Sequence, residues 1–230
     1  MTKRKLTREE IEEDILVTRY YQVQQYLKDN KALVIGVAVA IVVVIGGIIG
    51  YSVYSDNQET KAQNMLSNAQ ISFMQADYEN ALNGNPNAFT AGFKTVMSEY
   101  SGTKAANLSH YYAAVSAFKL GQTTDALSYI QDFKTTEGIL GVAPIQFYAS
   151  ILEAEGNFSQ AGDKYVEAAE WEETPTTTPQ NYINAANAYI AAGSSDKALT
   201  IINRLLEDNE IGPNYVTQAK KLKGQLKSNA

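Results

Sequence analysis

The chain has no cysteine and only one histidine among its 230 residues, and these two scarcities exclude several kinds of site. Without cysteine there is no disulfide, no thiolate zinc site, no catalytic thiol and no cysteine for lipid anchoring. With His110 alone, a multi-histidine metal site is excluded, and a Ser-His-Asp triad would need that residue. We expect His110 to be structural, and we expect no catalytic residue, no metal and no cofactor.

The chain also has few clustered basic residues after its N-terminal segment. The chain carries a net charge of -6 and has a pI near 4.9. A nucleic-acid binder needs clustered lysines and arginines to displace counterions from phosphates, and no such cluster follows residue 31. Nucleic acid is therefore not an expected partner.

Catalytic patterns are missing among the serines and glycines, which form neither a nucleophile elbow nor a Walker loop. Two acidic stretches, Glu153 with Glu155 and Glu170 with Glu172 and Glu173, could pair for acid-base chemistry. Neighbouring charges on a helix usually mark a solvated face, however. We expect that the protein is not an enzyme and keep an envelope enzyme only as a third hypothesis.

The longest uncharged run covers residues 32–55 and is rich in valine, isoleucine and alanine. A helix of about 23 residues, rising about 1.5 Å per residue, reaches roughly 34 Å and can cross a hydrocarbon core of about 30 Å. Lys31 and Asp56 bound the run, and two tyrosines near its end suit an interfacial aromatic belt. The segment before it is too long for the n-region of a cleaved signal peptide. We therefore predict one uncleaved transmembrane helix over residues 32–55.

The distribution of basic residues predicts the orientation of this helix. Lys61 is the one basic residue in the twenty that follow the run, whereas seven precede it: Lys3, Arg4, Lys5, Arg8, Arg19, Lys28 and Lys31. Because a Lys and Arg excess stays in the cytoplasm, the N-terminus should lie inside. Residues 56–230 are then extracytoplasmic.

The N-terminal segment before the apolar run, residues 1–31, is called the lead. Its sequence pattern predicts an amphipathic helix. Thr7 followed by Glu10 matches a capping box, and apolar residues recur on one helical face at Leu16, Tyr20, Val23 and Leu27. Two alternatives remain open. The helix lies on the headgroups with its basic residues on anionic lipid, or it docks on a membrane complex.

Beyond a polar joint at Asp56–Thr60, a repeated pattern occupies the rest of the chain. Three glycines lie 35 and 37 residues apart, and an alanine follows each at the same offset: Gly121, Gly156 and Gly193, with Ala126, Ala161 and Ala198. The interval is close to the period of about 34 residues that is typical of tetratricopeptide repeats. Small residues let two antiparallel helices approach, while the glycine closes their turn. We predict an all-α protein: a single N-terminal transmembrane helix followed by a tetratricopeptide-type α-solenoid.

The repeat boundaries follow from this register. We predict regular repeats over about 107–138, 142–174 and 179–212, and a capping helix over 214–227. A degenerate first repeat covers about 61–100, where an insertion after residue 83 breaks the helix before one resumes from Phe89 to Tyr100. We expect seven first-helix residues to face a groove for peptide or a partner helix: Tyr111, Val115, Phe118, Gln146, Ser150, Asn187 and Ile190.

Beyond the repeats, specific segments carry a resemblance to a known family. They are the end of the lead, residues 26–31, and then Asp77-Tyr78, Ala81-Leu82-Asn83-Gly84, Gly92-Phe93, Glu99-Tyr100 and residues 103–108. In these segments, and over nearly its whole length, the chain resembles the YfgM-like tetratricopeptide proteins, ancillary subunits of the bacterial Sec translocon. The resemblance implies an inner-membrane anchor and a periplasmic domain that associates with the translocon and hands nascent or unfolded exported polypeptides to folding factors. It implies no catalytic residues.

Two functional hypotheses follow from these patterns. The first is a membrane-anchored interaction module, accessory to the Sec translocon and to the folding of exported proteins. The alternative is a structural scaffold that bridges an envelope complex and has no chaperone activity. Crosslinking discriminates between the two hypotheses. A chaperone should be crosslinked to many nascent chains, whereas a bridging scaffold should be crosslinked to one constant folded partner.

Overall fold

The computed structural model describes residues 8–208 and 211–228, with side chains described from residue 17 onward. Within these residues there are eleven α-helices and no β-strand. Thr7 of the predicted capping box, the basic residues at positions 3–5 and two residues of the third predicted repeat, 209 and 210, lie outside the described part. The chain divides into two compact units, Met1–Asn57 and Gln58–Ala230.

The first unit contains helix α1, Arg8–Asp29, and the first part of helix α2, Lys31–Met74. The hydrogen-bond ladder continues past the turn residue between them. The amide of Asn30 donates to the Tyr26 carbonyl, and the amide of Val34 donates to the Asn30 carbonyl, both at 3.0 Å. The apolar side chains of α2 in this unit are exposed, except that of the half-buried Val34, and by length and composition α2 can cross a membrane.

Helix α2 does not end where a polar joint was expected, at Asp56–Thr60, but continues to Met74. The joint contains neither glycine nor proline, and Gln58, Glu59 and Lys61 favour helix. The first helix of the degenerate repeat is therefore the last part of α2, where Ala62, Leu66 and Ala69 are buried.

The second unit consists of paired helices. Its further helices are α3 (Tyr78–Asn83), α4 (Phe93–Glu99), α5 (Lys104–Lys119), α6 (Thr123–Asp132), α7 (Val142–Ala154), α8 (Phe158–Trp171), α9 (Thr177–Ala191), α10 (Ser195–Glu207) and α11 (Pro213–Ser228). Helices α5 and α6, α7 and α8, and α9 and α10 form three successive pairs, and α11 packs on the last pair. This is a tetratricopeptide-like solenoid.

The insertion after residue 83 forms a closed turn. The amide of Asn85 donates to the Thr90 carbonyl at 3.0 Å and the amide of Thr90 donates back at 3.1 Å, which leaves Phe89 97% exposed. The α-helix expected from Phe89 consequently begins at Phe93, because the turn holds residues 85–90 outside α-helical geometry, with only a short 3-10 helix at Pro86–Ala88.

The turns within the helical pairs share one geometry. Each regular pair has a glycine with positive φ at its turn, and the next residue donates its amide to a carbonyl five residues earlier: Gln122 to Ala117, Asn157 to Leu152 and Ser194 to Tyr189. This pattern is a Schellman motif. The degenerate repeat has the same bond, from Asp77 to Ser72 at 3.0 Å, with Ala76 at φ 59° in place of glycine.

Small residues form the contact within each regular pair. The alanines of the second helices, Ala126, Ala161 and Ala198, are fully buried, as are those of the first helices, Ala114, Ala149 and Ala186. Two core clusters extend from them, one from Ala62 to Ile151 and the other from Ala149 to Leu222. Leu127 and Tyr148 pack against both clusters, so the apolar core of the repeats is continuous.

Candidate protein-binding groove

A groove of about 820 Å³ opens beside the N-terminal half of α5. The end of α6, the start of α7 and the loop that joins them form its other walls, together with Gln63 of α2 and the loop before α5, residues 101–103. Its apolar lining consists of Ala106, Leu108, Tyr111, Phe133, Leu140, Ala143 and Pro144. This volume lies within the range of ordinary ligand clefts, about 300–1,000 Å³.

The side chain of Asn107 holds the loop against α5. Its amide nitrogen donates to the Lys134 carbonyl at 2.9 Å, and its oxygen accepts from the Lys134 amide at 2.8 Å. Phe133 leaves α6 with extended backbone, at φ -71° and ψ 123°. The chain therefore runs along the N-terminal half of α5 instead of turning directly into α7, and the groove lies between them.

A close approach fixes the other end of the loop. Gly141 is buried, and a Cβ there would lie 2.3 Å from the indole nitrogen of Trp171. It would also lie 2.2 Å from the Thr136 carbonyl oxygen. Only glycine fits at this position, so the path of the loop is set by packing at Gly141 and by hydrogen bonds at Asn107.

Aromatic rings form the floor of the groove. The ring of Tyr111 lies 5.6 Å from that of Phe133 and 5.9 Å from that of Phe147. Phe147 in turn contacts Phe118 edge-on at 5.6 Å. Burial raises the pKa of the Tyr111 hydroxyl, and the neighbouring Tyr112 adds to the rise. Tyr111 therefore stays neutral at physiological pH.

Charged groups lie around the rim. Lys104 and Lys134 line the groove, and their ammonium groups make no ion pair within the described residues. His110 lies beside them with a buried Nδ1 that has no hydrogen-bond partner among the described residues. Burial lowers the pKa of His110, while the charge of Asp132 acts in the opposite direction. His110 is thus neutral near pH 7.

The seven residues expected to face a groove do not share one cavity. Tyr111 lines the groove, whereas Phe118 packs on Phe147 beneath it. Gln146 donates its amide to the fully buried Asn181 at 2.6 Å, and the Ser150 hydroxyl donates to the Gln146 carbonyl at 3.1 Å. The remaining three lie on α5 and α9, with Asn187 exposed and the other two half-buried: Val115, Asn187 and Ile190.

Sequence reasoning missed the part of the groove that comes from the loop, namely Phe133 and Leu140, and Pro144 at the start of α7. One signal was available. Connecting segments are usually polar, yet residues 133–140 include Phe133, Ile139 and Leu140. Apolar residues in a long connection indicate either packing or a binding surface.

The acidic stretches are occupied by structural contacts. Glu153 accepts a hydrogen bond from the Tyr165 hydroxyl at 2.9 Å, and Glu170 pairs with Arg204. Across the described residues, no group of three or more histidine, aspartate or glutamate side chains could hold a metal ion.

Comparison with known proteins assigns the family. A sequence model described as a tetratricopeptide repeat-like domain matches residues 24–173. The chain belongs to this tetratricopeptide repeat-like family. The matched part includes the apolar run of α2 and all the walls of the groove, while α9, α10 and α11 follow it. The tetratricopeptide fold is generally a non-catalytic scaffold that binds other proteins, and the match indicates no enzyme family.

The other comparisons add little detail. No curated protein matches the chain. Two solved structures of nearly identical tetratricopeptide-like repeats, from a putative kinesin light chain of Podosopora anserina, are similar. One is 13% identical, with a TM-score of 0.49 over 73% of this chain and 89% of that one. The other, a single-substitution variant of the same repeats, is 12% identical, with a TM-score of 0.48 over 74% and 94%.

Proposed function

We propose that this chain is a membrane-anchored protein-protein interaction module, accessory to the Sec translocon and to the folding of exported proteins. One observation carries the proposal. The same chain combines a helix with an exposed apolar run and a tetratricopeptide repeat domain with an apolar groove open to partners. The first feature suits a bilayer and the second suits a polypeptide.

The exposure of apolar side chains on α2 supports the membrane anchor. Side chains such as Val42, at 67% exposure, and Ile48, at 64%, would each cost free energy in water, at about 25 cal/mol per Å² of apolar surface. Lipid tails remove that cost. The excess of lysine and arginine before the span supports a cytoplasmic N-terminus and a periplasmic repeat domain at the bacterial inner membrane. Basic residues of the lead, Arg19, Lys28 and Lys31, are suited to anionic lipid.

The topology can be tested with single cysteines, because the chain has none of its own. Gln22→Cys places a thiol on α1, and Lys227→Cys places one near the end of α11. In intact spheroplasts, a membrane-impermeant thiol reagent should label Lys227→Cys and should reach Gln22→Cys only after lysis. Labelling of Gln22→Cys in intact spheroplasts would overturn the orientation.

The partner class can be tested by in-cell crosslinking. A photoreactive residue at position 111 lies in the groove, and one at the exposed Lys220 of α11 is the matched control. Capture of translocon subunits and many exported chains from position 111, above the control, would support the accessory role. Capture of one constant folded envelope protein would favour the bridging scaffold. Equal capture from both positions would reject the groove as the binding surface.

A further inference from the structure

We infer that one face of α1 and α2, running from Tyr20 to Tyr51, pairs with the same face of a second, parallel copy of this chain. The inference goes beyond the proposed function and takes from it only that every copy inserts into the membrane in the same orientation. Three observations carry it: a heptad spacing without a break, an asparagine within that spacing, and charged side chains that stay outside it.

The spacing is that of a coiled coil. Starting at Tyr20, the positions of this face lie alternately three and four residues apart until Tyr51, and we call them the seam. Before the apolar run the seam holds Tyr20, Val23, Leu27 and Asn30. Its two half-buried side chains are Asn30 and Val34, and every other one is at least 44% exposed within the single chain.

Small residues are excluded from the seam. All seam positions from Val34 to Tyr51 carry valine, isoleucine or tyrosine, whereas every glycine and alanine of residues 32–55 lies on other faces of the helix. Side chains branched at Cβ are restricted in rotamer even before they pack. Two seams can therefore interlock at a small cost in entropy, and close packing is what drives helices together in a bilayer.

The helical hydrogen-bond ladder carries the seam from the lead into the apolar run. The amide bonds from Asn30 to Tyr26 and from Val34 to Asn30 bridge the residue between α1 and α2. Sharp kinks arise mostly at proline or glycine, and residues 26–34 contain neither. A helix that lies flat on the headgroups needs such a kink before the span, so the apolar face of the lead is left for a protein partner.

Asn30 contributes a polar group to the seam. Its side-chain nitrogen donates to the Tyr26 carbonyl at 3.0 Å, and its side-chain oxygen accepts no hydrogen bond among the described residues. The nitrogen keeps a second hydrogen, which can be donated to the oxygen of the equivalent asparagine in a parallel copy. A single asparagine in an apolar seam fixes the register of the helices and their number.

The charges are compatible with pairing of like copies. No charged residue between positions 17 and 55 lies in the seam. In a parallel coiled coil, the positions that flank the seam meet five residues apart. Arg19 therefore faces Gln24 of the second copy, and Lys31 faces Tyr26, whose aromatic ring attracts a cation. Like charges do not meet along the seam.

The seam is long enough for a specific interface. Residues 20–51 make about 48 Å of helix at about 1.5 Å per residue, and a helix with its side chains is about 10 Å wide. The two facing strips together amount to roughly 1,000 Å², the area at which specific interfaces begin. A pair joined in this way carries two repeat domains on one anchor, so a partner with two binding sites gains avidity.

Disulfide trapping tests the seam, because the chain has no cysteine of its own. Membranes that contain the full chain with one introduced cysteine are oxidised with copper phenanthroline, and the linked dimer is measured by non-reducing electrophoresis. Val23→Cys places the thiol in the seam, and the matched control, Gln25→Cys, places it on the opposite face, also exposed. Val23→Cys should give about fivefold more dimer, because a disulfide needs Cα atoms about 4.4–6.8 Å apart.

A second substitution shows that the seam itself drives the pairing. In the Val23→Cys chain, Leu27→Asp should lower the yield of dimer about tenfold, because each copy loses an apolar contact and two carboxylates meet. Gln25→Asp adds the same charge outside the seam and should leave the yield unchanged. Both side chains are exposed, so the helical signal of the chain should be the same in the two variants.

Three outcomes would overturn the inference. They are equal yields from Val23→Cys and Gln25→Cys, a yield that Leu27→Asp does not lower, and dimer from Gly50→Cys on the glycine face without dimer from Val23→Cys. The thiol labelling of Gln22→Cys and Lys227→Cys reports the topology separately. If that labelling shows the expected orientation but the seam is not trapped, the inference fails and the proposed function stands. If the orientation is reversed, trapping at Val23→Cys still supports the pair, because all copies remain parallel.

Discussion

The carboxylate of Glu59 caps helix α5 from a position 45 residues earlier in the chain. Its two oxygens accept hydrogen bonds from the backbone amides of Lys104 at 2.6 Å and Ala105 at 3.0 Å. The hydroxyl of Thr103 accepts from the next amide, that of Ala106, at 3.0 Å. The amide of Thr103 donates to the Tyr100 carbonyl at 3.1 Å, so all four amides that the start of a helix leaves unpaired are satisfied, two of them by α2.

Glu59→Ala should lower the free energy of unfolding of the repeat domain by about 1–2 kcal/mol, the usual loss on removing a helix cap. Glu59→Gln should lose less, because its amide oxygen still accepts one bond. Urea denaturation of the full chain, followed by circular dichroism, measures both. Glu137→Ala, an exposed loop carboxylate, should change stability by less than about 0.5 kcal/mol. Equal losses at positions 59 and 137 would reject the cap.

Gly162→Ala should destabilise the protein, although alanine normally favours helix over glycine. A Cβ at position 162 would lie 2.6 Å from the ring of Tyr189. That ring cannot easily move, because its hydroxyl donates to Asp163 at 2.7 Å and Lys197 lies over its face. We expect a loss of about 1–2 kcal/mol from overpacking.

The matched control for this substitution is Gly224→Ala in α11, where no atom lies within 4 Å of the added Cβ. It should stabilise by about 0.5–1 kcal/mol through helix propensity. Thermal unfolding of the two variants should therefore shift in opposite directions. A gain in stability from both substitutions would show that the Tyr189 ring can move to accommodate the added Cβ.

Ala76→Gly should raise the free energy of unfolding by roughly 0.5 kcal/mol. Ala76 has φ 59° at the turn of the degenerate repeat, a conformation that costs an L-residue about 1–2 kcal/mol, and its side chain is exposed. The greater freedom of glycine in the unfolded chain offsets part of the gain. The reverse change at the equivalent turn, Gly156→Ala, meets no neighbouring atom and should cost about 1 kcal/mol. If the denaturation midpoints of the two variants shifted in the same direction, the strained conformation of Ala76 would be contradicted.

Stability should fall at alkaline pH through Tyr165. Burial raises the pKa of its hydroxyl to about 12, with Ser150 acting against this and the hydrogen-bonded carboxylate of Glu153 adding to it. An unfolded tyrosine ionises near pH 10. The contribution is therefore present below about pH 10 and is lost as pH rises towards about 12.

In Tyr165→Phe, the unfolding free energy should consequently fall less between pH 9 and about 11.5 than it does in the parent chain. Urea titrations at the two pH values measure the difference. The two proteins should have parallel profiles between about pH 7 and 9, where no tyrosine ionises. Parallel profiles above about pH 10 as well would contradict the raised pKa.

The periodic parts of the fold were predictable because their signals are local. The glycine at each turn and the alanine after it recur in register, and the structure places a Schellman turn and a buried alanine at those positions. The helical pairs and the family confirmed the all-α tetratricopeptide prediction. The boundary between the two units falls within the polar joint at Asp56–Thr60, but helix α2 continues through the joint, because polar residues alone do not end a helix that lacks glycine or proline.

The groove could not be predicted from periodicity. The expected surface followed one face of the first helices, but the cavity depends on how the loop after α6 returns along α5. That path depends on the bonds between Asn107 and Lys134 and on the packing of Trp171 at Gly141. Both contacts join residues that are 27 or more positions apart. The sequence around an asparagine in a helix does not show which distant residue its side chain will hydrogen-bond.

The sequence by itself determined the helices, the register of the repeats and the apolar run, because each depends on neighbours within a few turns of the chain. Only the tertiary structure established that Glu59 caps α5, that Ala76 takes the place of a turn glycine and that Tyr111 lies in a groove completed by Leu140. The physical reason is common to all three. Each depends on contacts between segments that are distant in the sequence. Side-chain packing and hydrogen bonding in the folded core determine these contacts, and no local sequence pattern encodes them.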